Sequence, residues 1–326
     1  MIKCSGCGVK LQYDDPLKEG FAKKESSLCN RCFRIVNYNE YLSVDVDNKE
    51  FINILKDINK TNSLVVLVVD LLNIPNNINI IKKYLNNKLL FAFTKRDLIP
   101  LSVSDTKLLE FIDTLNINYC DKVIVSSKNN YNLDLLYNKI ISNKTDEDVY
   151  FIGFTNAGKS SLINKIIYNY TDIDCKITTS MLPSTTLNTI KINTNDFNII
   201  DTPGIIDDGN IINYLNKDEL KKIIIKKEIK TITYQMKKNQ YLKIEDFIII
   251  KSNSDCNITL YMSNALNINR FYKEIKNTNL ITKNIEIEKN HDIVIPGLGF
   301  MKVATNSNLD ISIKDGVGIY IRNSLI

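Results

Sequence analysis

Residues 149–162 read Val-Tyr-Phe-Ile-Gly153-Phe-Thr-Asn156-Ala157-Gly158-Lys159-Ser160-Ser161-Leu. A strand-like apolar run enters Gly-x4-Gly-Lys-Ser and leaves as a helical pattern. Glycines at this spacing let the backbone curl until several N–H groups point at one anion. The positive end of the following helix adds to that field. This is chemistry for a nucleotide's phosphates. The loop from Gly153 through Asn156, Ala157 and Gly158 to Ser161 cradles them, Lys159 reaches the β and γ phosphates, and Ser160 offers its hydroxyl to Mg2+.

Two further segments fit the same chemistry. Asp201-Thr202-Pro203-Gly204 follows the apolar run Phe197–Ile200. There Asp201 can hold Mg2+ through water, and the Gly204 amide can sense a γ-phosphate. Leu182-Pro183-Ser184-Thr185-Thr186 lies between the two anchors. A threonine hydroxyl in it can join Mg2+ while the γ-phosphate is present and swing away afterwards. Thr186 is expected in that role rather than Thr185; a solvent-facing hydroxyl turn is the alternative.

Upstream, Thr94-Lys95-Arg96-Asp97 follows the run Leu89–Phe93. It resembles the guanine-specificity pattern Asn/Thr-Lys-x-Asp. Asp97 can accept hydrogen bonds from guanine N1–H and its 2-amino group, neither of which adenine offers. The Lys95 stem can cover the base, and Thr94 stands where Asn is usual, with one amide contact fewer. Ser126-Ser127-Lys128, after Val125, resembles the small-residue motif whose amide contacts guanine O6. GTP and GDP are therefore the expected ligands, and ATP would require Asp97 to be a coincidence. The base motifs precede the phosphate loop, the reverse of the usual order. The same site can form if the ends of such a domain lie close and the chain is re-cut.

Cys4-x2-Cys7 and Cys29-x2-Cys32 are two knuckles that suit tetrahedral sulfur ligation of Zn2+. A redox dithiol or a disulfide pair is the alternative. With four ligands and no open position, such a zinc site is structural. Of the seven cysteines, Cys120, Cys175 and Cys256 stand alone.

Positioning these residues calls for an α/β domain. Strands are expected at 64–69, 89–93, 122–126, 148–153, 187–193 and 196–200, with helices at 131–142 and 159–168 between them. The division expected is a zinc module over 1–45, a circularly permuted GTPase domain with a mostly parallel sheet over 46–211, and a β-rich α+β domain over 212–326. The last opens with a Lys-rich helical stretch, 217–230, followed by alternating runs at 257–262, 284–288, 310–314 and 317–322. The longest aliphatic run, Leu64–Val69, is far short of the about 20 residues that span a bilayer. The N-terminus shows no apolar signal core, so no membrane partner and a cytoplasmic setting are expected. A net charge of +5 permits RNA without requiring it. DNA is not expected.

The whole chain resembles the YqeH family of circularly permuted GTPases. The likeness is carried by Cys4-Ser-Gly-Cys7-Gly8, Leu11-Gln12, Pro16, Cys29-Asn-Arg-Cys32-Phe33-Arg34 with Tyr38-Asn39, and the permuted motif order. Gly297-Leu-Gly-Phe300 and Gly316-Val-Gly-Ile-Tyr-Ile-Arg322 add to it. The resemblance implies a role in assembly of the small ribosomal subunit, with that subunit or its rRNA as partner. A binding module with little turnover, or one acting on transfer RNA or a protein client, is the alternative. It also bears on catalysis. Ile205 and Ile206 stand where many GTPases place a water-orienting Gln, which implies slow hydrolysis. Asn156 matches an Asn of potassium-activated GTPases and implies K+ beside the phosphates; bracing of the loop is the alternative.

Overall fold

The computed structural model describes residues 2–4, 9–15, 20–23, 26–30, 33, 45–46, 48–76, 78–115, 117–171, 177–181, 188–205, 207–275 and 277–326. They fall into two compact units, residues 1–96 with 117–206, and residues 97–116 with 207–326.

The elements up to residue 205 are, in chain order, β1 (Asp45–Val46), α1 (Asn48–Ile58), β2 (Leu64–Asp70), β3 (Leu89–Thr94), α2 (Asp105–Thr114, part of the second unit), β4 (Asp121–Ile124), α3 (Leu133–Asn143), β5 (Asp148–Gly153), α4 (Lys159–Tyr170), β6 (Ile177–Met181), β7 (Asn188–Asn193), β8 (Asn198–Asp201) and β9 (Gly204–Ile205). The expected strands and helices of this region are present, with ends moved by at most two residues.

Seven strands make one sheet in the order β4-β3-β2-β5-β8-β7-β6. The five from β4 to β8 in that order run parallel. Strands β7 and β6 are antiparallel additions. Every residue of β2 and β3 is buried, as a parallel sheet covered on both faces requires. Helix α4 turns Leu162, Ile163, Ile166 and Ile167 inward at helical spacing, each at most 1% exposed. Burying one such side chain contributes about 1.5–3 kcal/mol. Strand β2 leads to β3 on one side, while β5 leads toward β6, β7 and β8 on the other. Their C-terminal ends therefore frame the crevice at which a sheet of this kind takes its ligand.

The second unit continues with α5 (Lys217–Ile223), β10 (Ile232–Met236), β11 (Tyr241–Ile244), β12 (Ile248–Ser252), β13 (Cys256–Met262), β14 (Ile268–Phe271), β15 (Ile281–Ile287), β16 (His291–Ile295), β17 (Gly299–Val303), β18 (Ser307–Ile313) and β19 (Tyr320–Asn323). Its strands form two five-stranded sheets, β10-β13-β17-β16-β19 and β14-β11-β12-β18-β15. All pairings in them are antiparallel. Alternation along β18, buried at every odd position from Ser307 to Ile313, places one face in a core. Leu242, Ile250 and Ile311 of one sheet and Ile258, Ile293 and Met301 of the other share that core.

The helix expected over 217–230 stops at Ile223. Asn216 and Glu219 close a reciprocal cap at its start. At its end the β-branched pair Ile224-Ile225 disfavours continuation. Beyond it, Glu228 and Ile229 bond to the segment after β3: the Leu101 amide donates to Glu228 Oε1 (2.8 Å), and the Ile229 amide to the Leu98 carbonyl (3.0 Å). The run expected at 317–322 is a strand only from Tyr320, because Gly316 sits in a turn at φ +84° and the Gly318 amide is drawn to the Gly209 carbonyl (2.8 Å).

Two glycines receive the segment 209–214. A Cβ on Gly297 (φ +83°) would lie 1.9 Å from Asn210 Oδ1, and one on Gly316 would lie 2.5 Å from the Tyr214 hydroxyl oxygen. The Ile211 amide donates to the Pro296 carbonyl at 2.9 Å. Among the described residues, no helix is long and apolar enough to cross a membrane.

Candidate nucleotide site

The loop between β5 and α4 begins where β5 presses on β2. A Cβ on Gly153 would meet the Val68 carbonyl oxygen at 2.8 Å, so only glycine fits. Asn156 (φ +63°) and Gly158 (φ +87°) are both left-handed. Together they bend the backbone into the concave turn that precedes the first amides of α4. Lys159 opens that helix and is 4% exposed. Its ammonium donates to Asp201 Oδ1 and to the Thr202 carbonyl. Asp201, at the end of β8, is fully buried. Ser160 and Ser161 follow in the first turn of α4.

The Thr202 hydroxyl donates to the Phe151 carbonyl at 3.0 Å, which ties the start of the Asp-Thr-Pro-Gly turn to β5. Gly204–Ile205 is a short strand held from two sides. It pairs in parallel with β1, and Phe154 of the phosphate loop bridges to Ile205. The Thr155 amide (2.8 Å) and hydroxyl (2.7 Å) both donate to the Ile205 carbonyl. The phosphate loop and the Asp201–Gly204 turn are therefore one connected structure.

Strand β3 brings its C-terminal residues to the same end of the sheet. Thr94 is 2% exposed, and its hydroxyl lies within hydrogen-bond reach of the Ala157 carbonyl and of the Val69 carbonyl (3.2 Å). The threonine in place of asparagine still braces the phosphate loop. Lys95 is left-handed at φ +65°, and the Arg96 amide donates to the Val125 carbonyl at 3.2 Å. Past β4, Ser126 is buried and exchanges two backbone bonds with Tyr131 (3.1 and 3.0 Å). Its hydroxyl accepts from the Asn129 amide at 3.3 Å. Ser127 and Lys128 follow in the turn that Tyr131 closes. Asp97 lies two residues beyond Lys95, at the first position of the second unit.

Thr185, Thr186 and Ile206 lie outside the described residues, as do Cys7 and Cys32. Cys4 and Cys29 are 3% and 2% exposed, and the Cys29 amide donates to Cys4 Sγ at 3.1 Å. An amide aimed at a sulfur and burial away from water suit a ligating thiolate. Among the described residues no three His, Cys, Asp or Glu side chains gather as a metal group. His291 opens β16, with Nδ1 3.2 Å from the Lys289 carbonyl oxygen, in the second unit.

Sequence reasoning passed over Asp70 and Thr155. Thr155 carries no signal beyond its place in the loop. Asp70 ends a buried aliphatic run, but only the β2–β3 register links it to Thr94 and Lys95.

A family model described as 50S ribosome-binding GTPase matches residues 148–287. That match starts at β5 and leaves the base motifs upstream, as a permuted order requires. A Bacillus subtilis protein named YqeH is 31% identical over 366 aligned positions, spanning 100% of this chain and 99% of that one. The chloroplast GTP-binding protein Brassinazole Insensitive Pale Green 2 of Arabidopsis thaliana is 26% identical over 74% of this chain and 43% of its own length. The tRNA modification GTPase MnmE of Borrelia garinii is 32% identical over 44% of this chain and 33% of that one.

Proposed function

The chain belongs to the YqeH family of circularly permuted GTPases, and we propose that it is a GTP-driven switch in assembly of the small ribosomal subunit. Binding of GTP and GDP with Mg2+, and GTPase chemistry in general, follow from that membership. The choice of subunit, the rate and the roles of single residues go beyond it.

The observation that carries the nucleotide-switch part of the proposal is the position of Lys159; the ribosomal part rests on the relatives. Its ammonium is shared between Asp201 and the Thr202 carbonyl. A nucleotide's β and γ phosphates would draw it away and release Asp201 toward Mg2+. Ser160 and Asp201, with Thr186, would hold the ion, which neutralises charge developing on the phosphates. The amides of Gly153–Ser161 and of Gly204 would receive the phosphate oxygens. Asp97 would read the guanine edge beneath the Lys95 stem. The Ser126 amide already donates to Tyr131, so contact with O6 would fall to Ser127 or Lys128.

The route outward is the chain itself. Ile205 hydrogen-bonds the phosphate loop, and a few residues on, 209–214 is seated on the Gly297 and Gly316 turns. A γ-phosphate that moves Gly204 would pull on that seat. Ile205 presents an apolar side chain, 5% exposed, which cannot orient water, and slow intrinsic hydrolysis follows. Asn156 would place its carbonyl on K+ near the phosphates. Cys4, Cys7, Cys29 and Cys32 would hold Zn2+ as a structural cross-link. We place the protein in the cytoplasm, with rRNA or ribosomal protein as partner. The Ile205 side chain also favours a second reading, a GTP-gated binding module with negligible turnover that acts on transfer RNA or a protein client.

Phosphate release in KCl and in NaCl, with and without purified small or large subunits, tests this. Faster release with small subunits, and faster in KCl, is expected. Equal rates in the two salts would remove K+. Stimulation by large subunits alone would reassign the partner, and no stimulation by either would favour the second reading.

A further inference from the structure

We propose that Asp70 is a positioning residue for guanine recognition: it fixes Lys95 in place, and the affinity for the base end of the nucleotide depends on it. This rests on reading Thr94-Lys95-Arg96-Asp97 as the base motif.

Asp70 is the last residue of β2 and the register partner of Thr94 in β3. Its side chain is 6% exposed. Oδ1 accepts from the Leu72 amide at 2.9 Å. Oδ2 accepts from Asn73 Nδ2 at 3.2 Å and from Lys95 Nζ at 2.8 Å. Three donors fix the carboxylate's orientation, so it is a rigid anchor and not a mobile counter-ion. Lys95 is held at its backbone and at its tip. The residue before it is locked by the Thr94 hydroxyl, and the residue after it by the Arg96 amide on Val125. Its own backbone sits at φ +65°, a conformation that a residue with a side chain adopts only when its surroundings impose it. With its backbone and its tip both held, the four-carbon stem runs from the residue after Thr94, which braces the phosphate loop, to Asp70. A lysine stem ordered in advance loses no rotamer freedom when a base stacks under it, so its whole contact appears as affinity.

The competing role for Asp70 is structural, a side-chain cap that ends β2. That role lowers stability when removed but leaves the affinity of the folded protein unchanged. A double-mutant cycle separates the two. The variants are Asp70→Asn, Lys95→Met and both together. The readout is the Kd of GDP carrying a fluorescent ribose label, measured on protein verified as folded by circular dichroism. Asp70→Asn is expected to weaken GDP and GTP alike, by roughly tenfold, with the loss falling on KM rather than kcat. In the Lys95→Met background the same change is expected to cost nothing more. An unchanged Kd in Asp70→Asn, or losses that multiply in the double variant, overturns the proposal. Should Asp70→Asn not fold, Asp70→Glu runs the same cycle, since it keeps the charge but shifts it by one methylene. Asp97→Asn is the control for the underlying reading. If it leaves GDP affinity intact, the base motif itself is misassigned, whatever Asp70 does.

Discussion

Lys159 and Asp201 form a buried pair whose members would have different partners once a nucleotide is bound. Removing one member leaves the other charged and uncompensated, which costs about 3–5 kcal/mol. Asp201→Ala is therefore expected to lower nucleotide-free stability by about that much in urea unfolding, and to abolish Mg2+-dependent GTP affinity. At the base end, Asp97→Asn exchanges an acceptor for a donor. It is expected to weaken GTP at least about tenfold and to favour xanthosine triphosphate, as competition binding would show; each mismatched hydrogen bond is worth about 1.5–3 kcal/mol. The phosphate loop was legible in the sequence because its chemistry is local: adjacent residues carry glycines, lysine and serine at fixed spacing. Asp70 was not, because its partner, Lys95, lies 25 positions away and only the β2–β3 register brings them together.

Elements keep these residues in place through contacts that have their own tests. Tyr137 on α3 donates to Asp196 Oδ2 at 2.9 Å. Burial, with Asp196 beside it, pushes its hydroxyl up to about 12. The folded value lies above the unfolded one of about 10, so the stabilisation is complete below pH 10 and is lost as pH rises toward 12. Tyr137→Phe is expected to flatten that alkaline limb of a stability–pH curve and to cost about 1 kcal/mol at neutral pH. In the second unit, Gly297→Ala combines a left-handed backbone with a Cβ 1.9 Å from Asn210 Oδ1. A loss of about 1–3 kcal/mol is expected in denaturant unfolding. Strands β2 and β3 of the parallel sheet were readable because two-faced burial writes a nearly unbroken apolar run. Strand β6, Ile-Thr-Thr-Ser-Met, carries neither such a run nor a clean alternation. The helix over 217–230 was overread because its charge pattern continues past Ile223, whereas further on the Ile229 amide bonds the Leu98 carbonyl and the Glu228 carboxylate accepts from the Leu101 amide.

For the whole molecule, motif order was enough to expect a permuted domain, and the strand order β4-β3-β2-β5-β8-β7-β6 bears it out. What order alone could not give is how the chain leaves that domain. The glycines at 297 and 316 stood out in the sequence only as part of the family likeness, yet each makes room for a side chain of the segment that follows the Asp-Thr-Pro-Gly turn. Through that seat, nucleotide state would reach the β-rich unit and whatever it binds. Co-sedimentation with purified small ribosomal subunits, in a non-hydrolysable GTP analogue, in GDP and without nucleotide, tests this coupling most directly. Binding that differs between the analogue and GDP is predicted, with loss of that difference in Asp201→Ala. Equal binding in all three conditions, or none in any, would contradict it.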